Sequence, residues 1–115
     1  MSARTRIPVL VLALTVATDA AGCGEGLAAV AGRAANAQYE VAFATRPAPI
    51  VTGEHFALDI AVCPRGAAAR PRGLVIDEVM PEHRHGMNYR PTVTSPSPGR
   101  YRAEGLLFHM PGRWE

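Results

Sequence analysis

The hydrophobic pattern of the chain changes period along its length. Residues 7–17 form an apolar run broken only by Thr15. That run is too short to cross a bilayer comfortably and matches the apolar centre of an export signal. Residues 24–37 are rich in Ala and Gly with no amphipathic stripe, as in a flexible linker. From Gln38 the period becomes two. Tyr39, Val41 and Phe43 alternate with Glu40, Ala42 and Ala44, which predicts a first half-buried strand. The run RPAP at 46–49 breaks it. Phe56, Leu58, Ile60 and Val62 then alternate with Ala57, Asp59 and Ala61 in the clearest strand of the chain. CPRG at 63–66 closes it, and an Ala/Arg/Pro loop runs to Gly73.

Residues 74–79 predict a third strand, ended by Pro81, and 89–94 a short fourth. SPSPG at 95–99 reads as a turn. Residues 100–108 predict the last full strand, with Tyr101, Ala103, Gly105 and Leu107 on one face and Leu106 and Phe108 on the other. Short strands separated by Pro/Gly turns imply an all-β domain, a small antiparallel β-sandwich of immunoglobulin-like type. Nothing suggests βαβ units or an internal repeat. HMPG at 109–112 is a turn that should launch a returning strand, yet only Arg113, Trp114 and Glu115 follow. The expectation is a C-terminally truncated sandwich lacking its closing strand, with an exposed sheet edge.

The N-terminus changes the picture from a fold to a location. Arg4 and Arg6 precede the apolar run, and AAGC at 20–23 resembles a bacterial lipobox, with Ala20 where leucine is usual. Cys23 is therefore expected to become the lipid-bearing N-terminal residue. Its acyl chains would then anchor an exported domain on the periplasmic side of the envelope. Gly24 after the cysteine fits an outer-membrane destination. The alternative is ordinary cleavage at a small-residue site, which leaves Cys23 free for a disulfide with Cys63. The organisation read here is signal peptide 1–23, linker 24–37 and domain 38–115.

Composition narrows the function classes. The net charge is +2 and all twelve basic residues are arginines dispersed along the chain. With few aromatics as well, a nucleic-acid partner is not expected. No nucleophile motif and no HExxH spacing is present, and Asp77 and Glu78 would point to opposite faces of a strand, so an enzyme is not expected either.

Met80, Met87, Met110, His83, His85 and His109 all fall within residues 80–110. Thioether sulfur is a soft ligand for Cu(I), and imidazole serves either copper oxidation state. If 83–87 is extended, His83, His85 and Met87 share one face, and His109 and Met110 on a neighbouring turn could complete the set. In the structural alternative Met87 and Met110 fill gaps, Gly86 supplies a positive φ, and the histidines satisfy loop carbonyls. His55, at the start of a strand, reads as a surface residue. Cys63, at a strand end, reads as a small buried hydrophobe.

The stretch MPEHRHGMNYRP at 80–91, followed by GRYRAEGLLFHMPGRWE at 99–115, resembles the YtkA-like family of exported bacterial domains, whose pattern is related to that of FixH-type proteins. The likeness covers residues 38–115, with nearly all of its specificity in the second half. It implies a small β-sandwich and, through the FixH-type relatives, a link to copper delivery for a terminal oxidase. The chain departs from FixH-type proteins in lacking an obvious membrane-spanning helix beyond its signal. It also lacks the strand with which the family continues past Glu115. Two functions stand side by side: a copper-binding or copper-delivery domain with a copper-accepting partner protein, and a non-catalytic envelope interaction module in which the Met/His stretch is architecture.

Overall fold

The computed structural model describes residues 22–115, so the expected signal sequence, up to Ala21, lies outside the described residues. The described chain is all-β and antiparallel. Seven strands follow in order: β1 (Gly32–Ala35), β2 (Tyr39–Arg46), β3 (His55–Pro64), β4 (Val79–Met80), β5 (His85–Gly86), β6 (Thr92–Ser97) and β7 (Arg100–Leu107). Five form one sheet in the order β1-β2-β3-β7-β6, and β4 and β5 form a small second one.

The alternation read in the sequence sets which side chains face the core. Phe56, Leu58, Ile60 and Val62 of β3 and Tyr101, Ala103 and Leu106 of β7 are buried together, with Tyr39, Val41, Phe43 and Val93 packed beside them. Leu74, Ile76 and Met87 cover this face from the second layer. Each large aliphatic or aromatic side chain buried this way contributes roughly 1.5–3 kcal/mol.

Two departures have clear physical causes. Leu106 joins Tyr101 and Ala103 instead of opposing them, because Phe56 pairs with Leu106 while Leu58 pairs with Ala103. One extra β7 residue is thus accommodated in a bulge around Gly105, which has φ +84°, and the bulge inverts the phase of everything after it. Residues 95–97 continue β6, so the turn contracts to Pro98 and Gly99. Pro96 is tolerated because β6 is an edge strand. Residues 74–78 keep an in-out alternation of burial but form no ladder, and the expected third strand is reduced to Val79–Met80.

The stretch read as a linker is part of the domain. β1 pairs with β2 from Gly32↔Phe43 to Ala35↔Glu40. Ahead of it, the 22–27 turn lies against the other face of the sheet, where Gly24 sits directly over Ala42. Ala42, Ala44 and Ala61, which the alternation assigned to the outer face, are buried as well. Their small side chains are what allow this close approach. A disulfide joins Cys23 to Cys63 and fixes the turn to the end of β3. Cys63 is therefore half of a covalent staple, not a free buried thiol. One sulfur cannot carry both a disulfide and a lipid thioether, so this bond and the expected lipid anchor are alternative fates of Cys23.

Candidate functional site

The site is built where the small sheet meets the end of the chain. Val79 and Met80 pair with Gly86 and His85, and residues 81–84 form the connecting loop. The His83 amide donates to the Met80 carbonyl at 3.2 Å, and the Met87 amide donates to Glu78 at 3.3 Å. The left-handed residue of this loop is Arg84, with φ 52°, and not Gly86. That reversal also interrupts the period of two. His83 stands in the turn, His85 on the strand, and Met87 turns inward onto the sheet core, so the three do not share one face.

The chain end closes on the other side of β4. Glu115 and Val79 exchange both backbone hydrogen bonds at 2.8 Å, so the segment after the HMPG turn does begin to return as a strand would. Phe108 packs on Phe56 with ring centres 4.8 Å apart, and Trp114 stacks on Phe108 at 4.7 Å and 11° between planes. Trp114 Nε1 donates to the Met110 carbonyl at 3.1 Å. Gly112, at φ +139°, lies against the Met80 methyl group, where any β-carbon would collide.

These contacts bring together three of the six residues singled out by the sequence. His83 and His85 have ring centres 6.0 Å apart, and His85 and His109 meet edge to face at 5.9 Å. His109 in turn stands edge-on to Trp114 at 5.4 Å. All three histidines are exposed. The methionines are placed differently. Met80 is 1% exposed and serves as the floor under Gly112, Met87 packs against the core, and Met110 is half-buried. His55 is elsewhere, with Nδ1 3.3 Å from the Leu106 carbonyl and its ring against Tyr89.

A metal ion roughly 2.0–2.1 Å from one nitrogen of each of two imidazoles places the ring centres about 5–6 Å apart. Both histidine pairs have that separation. Among the described residues no group of three His, Cys, Asp or Glu side chains converges tightly enough to cage an ion. The arrangement is a row of imidazoles open to solvent. Trp114 supports the row at His109, a role that no motif in the sequence marks.

Glu78 borders an apolar cavity lined by Val41, Phe43, Leu58, Ile60, Leu74 and Ile76. Burial raises its pKa above the usual carboxyl range, and the neighbouring Asp77 charge adds to the shift. No protein-family model, curated protein sequence or solved structure matches the chain.

Proposed function

We propose that this chain is an exported cell-envelope domain that takes up copper through His83, His85 and His109 and yields it to a partner protein. The observation that carries the reading is the run of ring contacts His83–His85–His109, which unites two segments distant in sequence. Imidazole is a good copper ligand in either oxidation state, and the Met110 thioether follows directly on His109. Exposure of all three rings suits a cargo site, because a partner's ligands can replace them one at a time. Met80 and Met87 act as scaffold beneath the row. The YtkA-like pattern of the 80–91 and 99–115 stretches points the same way.

Export is supported by the apolar N-terminal run and by the Cys23–Cys63 disulfide, a bond that persists in oxidising compartments. A lipid anchor at Cys23 is the competing fate of that sulfur. Intact-mass measurement of the mature protein separates the two. For copper, the test is Cu(I) titration of the full chain against a chromophoric chelator, beside a His83→Ala/His85→Ala variant whose fold is checked by circular dichroism. Tight stoichiometric binding lost in the folded variant is the expected result, and equal behaviour of the two proteins would sink the reading.

A second reading, the non-catalytic interaction module, draws on one observation. Val75 is 92% exposed beside exposed Tyr89, and both border a cavity of about 620 Å³ between the 74–77 segment and the start of β6. In that case the histidine variant binds copper as the parent does, and a Val75→Asp change removes the partner instead.

A further inference from the structure

The face of the main sheet opposite the core carries a charged cluster that copper uptake does not use. Asp59 of β3 lies between two guanidinium groups. Arg46 of β2 donates to it from Nε at 2.9 Å and also through Nη2, and Arg102 of β7 donates from Nε at 2.8 Å. Burial alone would raise the Asp59 pKa, but the hydrogen bonds from both arginines and their two positive charges outweigh it and hold the carboxyl below its usual range. Arg100, two residues before Arg102 on the same face, donates through Nη2 to the Glu25 carbonyl. That bond ties the sheet to the turn which the disulfide also fastens.

These residues line a cleft of about 400 Å³, walled by the 25–28 turn on one side and by Pro96 and Ser97 on the other. Three guanidiniums meet two carboxylates there, Asp59 and Glu25, so the cleft keeps an excess of positive charge. It also keeps unused donors. The terminal nitrogens of Arg102, and Nε and Nη1 of Arg100, make no hydrogen bond among the described residues. A guanidinium offers five N–H groups in a planar fork matched to oxyanions.

We propose that this cleft binds a phosphate-type oxyanion, either free or as the headgroup of an anionic lipid. Asp59 fixes the Arg46 and Arg102 forks and leaves their remaining donors for the ligand. A monocarboxylate would repeat what Asp59 already supplies. A tetrahedral oxyanion has more acceptor oxygens and more charge, enough to engage guanidiniums from separate positions on the sheet. The cleft holds a small ligand of this kind with room for the rest of a headgroup.

The test uses the full chain in two arms, each repeated with Arg100→Gln and Arg102→Gln. One arm is calorimetric titration with inorganic phosphate, against chloride at matched ionic strength. The other is co-sedimentation with phosphatidylcholine vesicles containing or lacking phosphatidylglycerol. Saturable binding weakened roughly tenfold or more by Arg100→Gln is expected, since a charge-assisted hydrogen bond is lost while the Asp59 pairs stay intact. Binding to both ligands, or to free phosphate alone, marks a soluble ligand. Binding confined to the anionic vesicles marks a lipid headgroup. Asp59→Asn should bind more tightly, and His83→Ala/His85→Ala as the parent does. Absence of saturable binding in both arms, or binding that Arg100→Gln leaves unchanged, would overturn the proposal.

Discussion

Along β3 every second side chain enters a shared core, and on the other face Ala61 is buried and Cys63 is bonded to Cys23 of the 22–27 turn, so the end of the central strand is held on both faces. The 80–87 hairpin has two residues per strand, and its loop residues are all exposed. It is held from outside, by Met87 on the core, by Met80 under Gly112 and by the Glu115 pairing. The difference shows how a small domain can present chemistry: the sheet supplies rigidity, and the histidines ride on a thin layer that borrows it. Changes in the sheet should therefore cost stability, and changes at the rings should cost metal.

The largest expected effect is on the staple. Cys23→Ser or Cys63→Ser opens a loop with a sequence separation of 40, which by chain entropy costs about 4 kcal/mol. Urea denaturation should show most of the net stability of so small a domain gone. Next is Leu106→Ala, at a side chain fully sealed on the sheet face. It should cost about 2–5 kcal/mol in the same measurement. Copper affinity should be unchanged wherever the variant remains folded.

Gly112→Ala sits on the boundary between the two regions. It adds a β-carbon against the Met80 methyl at a backbone angle that alanine rarely adopts, and about 1–3 kcal/mol of destabilisation is expected. Because the 109–112 turn would shift, copper binding should weaken too, unlike the Leu106→Ala case. A Gly112→Ala protein with parental metal affinity would show that His109 does not belong to the site.

The smallest expected effect concerns Asp59. Its pKa is lowered in the fold, so its stabilising contribution is present above the unfolded value near 3.8 and is lost as pH falls through the folded value. The acid limb of a stability-versus-pH curve should be steeper in the parent than in Asp59→Asn from about pH 5 downward. Equal limbs would place the Arg46 and Arg102 pairs outside the stability of the sheet.

The two regions also differed in how far the sequence revealed them. The alternation of Phe56, Leu58, Ile60 and Val62 gave the core face of β3 directly, because a buried strand face leaves a period of two. It did not give the phase of Leu106, which depends on one glycine bulge. Nor did it give the role of 22–37, since an Ala/Gly stretch looks like a tether until the alanines of β2 and β3 make a surface flat enough to receive it. At the site, clustering of histidines and methionines marked the right segments without separating ligands from scaffold. That division rests on Arg84 reversing the chain and on Met80 and Met87 turning inward. The pairing of Asp59 with Arg102 required the β3–β7 register, which no local pattern encodes.

The most direct test follows the four histidine rings themselves by nitrogen-edited NMR while Cu(I), which is diamagnetic, is added to the full chain under reducing conditions too mild to open the disulfide. His55, engaged with Leu106 and Tyr89, is the built-in control. The ring signals of His83, His85 and His109 are expected to shift together and saturate at one equivalent while those of His55 stay in place. If the three rings do not respond, or His55 responds equally, the row of imidazoles is not a copper site.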